Sequence, residues 1–311
     1  MRSALSAPRR MPGRAAMSDR TTFLYMGVSL AMILGAIAVF LIRLERRQPK
    51  ARDIALIALL TALTVLVHVF FHATVPIQAG TALVILWGAA LGPEPGFLIG
   101  ALARFVCNFY MGQGPWTPWQ MFSWGLLAFL AGLLFQRADP GSRLFQEKEK
   151  KEGKARQAVG QLALLTAAAA AVAFLSYVLV PSGTGKPYGP RTYLAAAAAL
   201  VLLPLVRRKK IPPAALTLGI YTFLSTFAVY GGIMNLAALV TSSLYPGAEP
   251  LTLNALRAVY LTGVPYDLIH AGTAAAFSAV FGPSFVWRIE RIRRKYGVLG
   301  GRRPPRPRKS G

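Results

Sequence analysis

Residues 112–121 read Gly112-Gln113-Gly114-Pro115-Trp116-Thr117-Pro118-Trp119-Gln120-Met121 and connect two apolar runs, 96–111 and 121–136. Glycine and proline impose an unusual backbone path on so short a connection. The two tryptophans offer large flat surfaces, and the two glutamines offer paired donors and acceptors. A connection of this composition between membrane spans is either an anchor at the membrane interface or a lid over a ligand. The choice depends on the chain around it.

Outward from this connection, apolar runs recur along all 311 residues. The chain is 54% hydrophobic and 15% charged, with a mean hydropathy of +0.46, outside the range of an ordinary soluble globule. Spans are expected at 22–42, 54–71, 80–91, 96–111, 121–136, 159–180, 193–206, 214–241 and 265–287. The expected fold class is therefore an all-α integral membrane bundle of about nine helices. The first run is followed by Arg43, Arg46 and Arg47 and carries no small-residue cleavage site, so it reads as a retained helix.

The formal net charge of +24 raises the question of nucleic acid. Its distribution answers against it. Basic residues gather at 43–52, 137–156, 207–210 and 288–309, each beside an apolar run. The positive-inside rule places all four on the cytoplasmic side, as a collar facing lipid head groups. The loops at 71–80, 112–120, 181–191 and 242–264 then lie outside and the C-terminus inside. The five arginines before the first span fit this poorly, and a start at Met17 would remove four of them. Cys107 is the only cysteine, so neither a disulfide framework nor a multi-cysteine metal site is expected.

Three blocks give the chain a resemblance to the substrate-binding S components of energy-coupling factor (ECF) vitamin transporters. They are Gly92-Pro-Glu-Pro-Gly-Phe-Leu-Ile-Gly100, the stretch from Asn108 through the tryptophan connection to Trp124, and Pro265-Tyr-Asp-Leu-Ile-His-Ala271. The resemblance implies a six-helix core over 53–136 and 214–287 with both its ends cytoplasmic. The span at 22–42 is then an N-terminal addition and 159–206 an inserted hairpin. Residues 1–21 form a basic leading segment and 288–311 a basic tail. The family pattern has a proline-rich, basic loop after the first core helix; here Pro76 remains, but Gln78-Ala79-Gly80 follows.

The resemblance also implies partners: a transmembrane coupling subunit and two ATPase subunits. Ala58 and Ala62, four apart on the first core helix, fit the small-residue surface by which such components dock. The expected ligand is a vitamin-like small molecule, a corrinoid such as cobalamin first and a flavin or modified purine behind it. Its expected contacts are Arg104, Asn108, Gln113, Trp116, Trp119, Gln120, Trp124, Asp267 and His270. A charge at membrane depth faces a partner or a watery cavity. Arg104 could thus serve the ligand, tether the bundle through Asp267, or do both. His68 and His72 read as interfacial histidines rather than a metal site. Trp119 and Trp124 could double as interface anchors.

Enzyme readings find no support. The chain has no Walker A sequence, no His-Glu-x-x-His and no Gly-x-Ser-x-Gly. No cofactor or metal is expected. Two rivals remain: an autonomous secondary transporter using Arg104, Asp267 and His270 as an ion relay, and an assembly protein without a ligand.

Overall fold

The computed structural model describes residues 19–46, 48–74, 77–135, 214–243 and 251–300. The expected spans at 159–180 and 193–206 lie outside the described residues. The described chain is helical throughout, with no strand: α1 (Asp19–Arg46), α2 (Ala51–Thr74), α3 (Ala79–Leu91), α4 (Pro93–Met111), α5 (Thr117–Leu134), α6 (Ala215–Ser242) and α7 (Leu253–Tyr296). Three of these, over Ala51–Ala73, Ala215–Ser242 and Leu253–Tyr296, are long and apolar enough by themselves to cross a membrane. Of the others, α3 is apolar but has only thirteen residues. The protein is an all-α, multi-pass membrane protein.

The organising element is α3. All thirteen of its residues are buried, and α2, α4, α5 and α7 pack around it. At about 1.5 Å per residue it reaches only about 20 Å, short of the roughly 30 Å hydrocarbon layer. Its broken ends are tolerated because protein, not lipid, surrounds them. Gly92 makes the turn into α4 with φ of 103°, a conformation that suits glycine, and Pro93 follows in the first turn of the helix. The backbones of α3 and α5 meet where Gly88 faces the carbonyl of Ala128, leaving no room for a Cβ. Small residues thus bring membrane helices together where side chains would hold them apart.

Aromatic side chains fill the half of the bundle nearest the basic residues. Trp87 packs edge-on to Phe285, and Phe135 to Tyr221. The Trp87 indole donates to Thr64 Oγ1 at 2.8 Å, satisfying the one polar atom of that buried ring. Helix α1 lies outside the core on α4 and α5, where Phe40 stacks on Phe97 with ring centroids 3.9 Å apart.

The last helix departs from expectation. It begins at Leu253 rather than near residue 265, because Thr252 caps it by accepting from the Ala255 amide at 3.1 Å. Pro265 therefore sits inside the helix, and part of the loop expected at 242–264 is helical. Its other end runs beyond Trp287 to Tyr296, where Gly297 adopts a left-handed conformation. The chain then folds back so that the Leu299 amide donates to Asp53 Oδ1 at 2.7 Å. This contact joins the C-terminal end of α7 to the start of α2.

Candidate functional site

The polar residues expected to act together converge at the end of the bundle away from Asp53, Arg293 and Leu299. Helix α4 delivers Arg104 and Asn108, one turn apart on its buried face. The tryptophan connection itself proves short: Gly112 to Trp116 form the turn, and Thr117 already begins α5 with a proline in its first turn. Gly112 ends α4 with φ of 103°, its amide donating to the Asn108 carbonyl at 2.9 Å.

Thr117 is the hub of this turn. Its hydroxyl donates to Gln113 Oε1 at 2.9 Å and accepts from the Gly114 amide at 3.2 Å and Asn108 Nδ2 at 3.1 Å. One donor and two acceptor sites exhaust a hydroxyl, so the turn is fixed at a single point. Gln120 Oε1 likewise accepts twice, from Asn108 Nδ2 at 2.7 Å and Arg104 Nε at 3.1 Å. Gln113 also donates to the Phe105 carbonyl at 3.3 Å, and its exposed side chain holds the turn rather than the interior. Trp116 and Trp119 are half-buried, and the Trp116 ring lies so close to Gly114 that a Cβ there would come within 2.5 Å of it.

Arg104 is 7% exposed and is held on several sides. Besides Gln120, its NH1 lies 2.9 Å from His68 Nε2. Its guanidinium carbon stands 5.1 Å from the centroid of the Trp124 ring, a cation–π distance. Trp124 is fully buried on α5 and packs edge-on to His68, so it is the floor beneath Arg104 and not an interface anchor. His68 corrects a second expectation. It is buried on the inward stripe of α2 formed by Ile57, Thr61, Thr64 and His68, whereas His72 is exposed. That stripe, at helical spacing, is the sequence signal by which His68 could have been found.

A second group comes from α3, α6 and α7. His270 Nε2 lies 2.9 Å from Thr81 Oγ1, and its ring lies beside Tyr230 and Tyr266, with centroids 4.7 Å and 5.8 Å away. Tyr230 closes a π-helical turn, Thr226–Tyr230, in the middle of α6. Such a widened turn re-aims side chains and recurs at functional sites. Asp267 Oδ2 accepts from Asn235 Nδ2 at 2.8 Å, across a crossing kept open by Gly231 and Gly263. Thr81, Thr117 and Asn235 thus join the residues expected from sequence. Thr81 and Asn235 are ordinary polar residues in apolar runs, and only the packing reveals them.

The two groups share a support. Both lean on the first turn of α3, where His68 meets Gly80 and His270 meets Thr81. Among the described residues, Trp124 Nε1, His68 Nδ1 and His270 Nδ1 are buried without hydrogen-bond partners. No group of three His, Cys, Asp or Glu side chains there could hold a metal ion. The arrangement offers a fixed cation, buried hydrogen-bonding atoms and aromatic walls, which suits binding rather than bond-making.

Comparison with known proteins agrees. Residues 48–180 match the family model described as ECF-type riboflavin transporter, S component. The described part of that match contains α2 to α5, and with them Arg104, Asn108, the tryptophan turn and Trp124. No solved structure gives a significant match to the chain. Over residues 48–180 the chain is thus similar to the S components of energy-coupling factor transporters, and a helical membrane core carrying a convergent polar site fits that likeness.

Proposed function

We propose that the chain binds riboflavin or a closely related flavin at the Arg104–His270 site and delivers it across the membrane with a coupling subunit and two ATPase subunits. The observation that carries the reading is the buried guanidinium of Arg104, held by Gln120 and His68 over Trp124. A flavin ring system is planar, uncharged and lined along one edge with carbonyl and imine acceptors. A fixed guanidinium meets such an edge, while Trp116, Trp119, Tyr230 and Tyr266 supply faces for the ring. The description of the matching family names riboflavin, which favours the flavin over the corrinoid expected first from the sequence.

Transport in this reading needs a docking surface. Ala58 and Ala62 both face outward on α2, flanked by exposed Leu59, Leu63 and Leu66. Small side chains within an apolar face admit another membrane helix closely. The site lies at the end of the bundle away from Arg52 and Arg293, so by the positive-inside rule the ligand arrives from outside the cell.

Detergent-purified protein titrated with riboflavin and, in parallel, with cobalamin tests the ligand. Riboflavin fluorescence should be quenched on binding and the protein's melting temperature should rise, with cobalamin giving neither effect. Stabilisation by cobalamin alone would replace the flavin with a corrinoid. No response to either would remove both ligands from consideration.

A further inference from the structure

We propose that His68 is a positioning residue of this site, setting the orientation of the Arg104 guanidinium before any ligand arrives. The proposal rests on the reading of the site as a ligand site, but its geometry stands on the protein alone.

The His68 ring has little freedom. On one side it meets the backbone of α3 at Gly80, where an added Cβ would lie 2.7 Å from Cβ, Cγ and Nδ1 of the histidine. On another it packs edge-on to Trp124, with ring centroids 4.9 Å apart. So confined, the ring directs Nε2 to Arg104 NH1 at 2.9 Å. A guanidinium has only donors and stays charged, so Nε2 must supply the lone pair. The proton of the neutral ring is therefore on Nδ1, which has no partner among the described residues. A buried donor without a partner is rare in folded proteins and calls for an explanation. Here the explanation is the other nitrogen: the ring is held as an acceptor for Arg104.

The consequence is a guanidinium whose plane is set by protein on three sides. Gln120 takes Nε, His68 takes NH1, and Trp124 lies beneath the carbon. Arginine's many rotamers are reduced before binding, so less freedom is lost when a ligand binds, and a ligand must match the preset plane. His68 need not touch the ligand to determine which one fits.

The test has a ligand arm and a ligand-free arm. In the first, riboflavin is titrated into the unmodified protein, His68→Leu, His68→Gln, Arg104→Met and the double variant His68→Leu/Arg104→Met. His68→Leu should weaken binding at least tenfold, and His68→Gln, which restores an acceptor at similar reach, should recover most of that loss. In the Arg104→Met background, His68→Leu should add less than twofold, because its effect passes through the arginine. Equal losses in Leu and Gln, or additive losses in the double variant, would overturn the proposal. In the second arm, nitrogen NMR of the three histidines, with the His68 signals identified by their loss in His68→Gln, reads the ring without ligand. His68 should show the Nδ1-protonated tautomer and an Nε2 signal that moves in Arg104→Met. The opposite tautomer, or no response to Arg104→Met, overturns the proposal whatever riboflavin does. If riboflavin fails to bind while both signals behave as expected, the flavin reading falls and the positioning of Arg104 by His68 stands.

Discussion

A single buried cation fixes much of this site, because a guanidinium within a membrane bundle cannot be left without acceptors. Two acceptors for Arg104 come from different helices, Gln120 on α5 and His68 on α2, so one side chain ties three helices together. Replacing Arg104 with lysine keeps the charge and the contact with Trp124 but loses the planar fork. Arg104→Lys should therefore weaken riboflavin binding about tenfold, about 1.4 kcal/mol, while leaving the melting temperature of ligand-free protein nearly unchanged. Equal affinity in titration would show that charge alone matters. At this scale the sequence was legible where spacing carried the information. Arg104 and Asn108 are four apart, and the structure puts both on one buried face. His68 was misread: its helical spacing from Thr61 and Thr64 pointed inward, but its neighbour His72, exposed in the structure, made the pair look interfacial. The sequence was not legible for Trp124, since an indole near a helix start serves equally as anchor or floor until its neighbours are known.

Helices were easier to read than their limits. The apolar runs that became α2 to α5 lie where hydropathy expects them, because burial and lipid demand the same residues. The start of α7 was misplaced because Pro265 looked like a first-turn residue, whereas the capping signal, Thr252, lies thirteen residues earlier. The π-turn in α6 left no trace in composition, yet it sets Tyr230 beside His270. Helix α2 shows how one element serves two surfaces. Its inward stripe carries Thr64 and His68, and its outward face carries Ala58 and Ala62. Leucine at Ala58 or Ala62 adds bulk on the outward face alone. Ala58→Leu and Ala62→Leu should therefore bind riboflavin within about twofold of the unmodified protein, equivalent to about 0.4 kcal/mol. Co-purification with coupling and ATPase subunits should fall sharply for both. Unimpaired co-purification would place the docking surface elsewhere on the bundle.

The whole bundle has two unlike ends. Its ligand-site end and its basic end lie at opposite ends of α2 and α7, with His68 and His270 toward one and Asp53, Arg293 and Leu299 joined at the other. Under the proposed function the positive-inside rule turns that polarity into an expected orientation, with the site outside and the end of α7 in the cytoplasm. The protein is well suited to a direct check, because its one cysteine, Cys107, is fully buried and gives little background to a thiol reagent. Ala73 is exposed at the site end of α2, and Lys295 is exposed at the basic end of α7. A membrane-impermeant thiol reagent applied to intact cells should label Ala73→Cys and leave Lys295→Cys unlabelled. Opening the cells should then expose Lys295→Cys to the same reagent. The reverse pattern would put the ligand site on the cytoplasmic face, and import of a ligand from outside could not begin there.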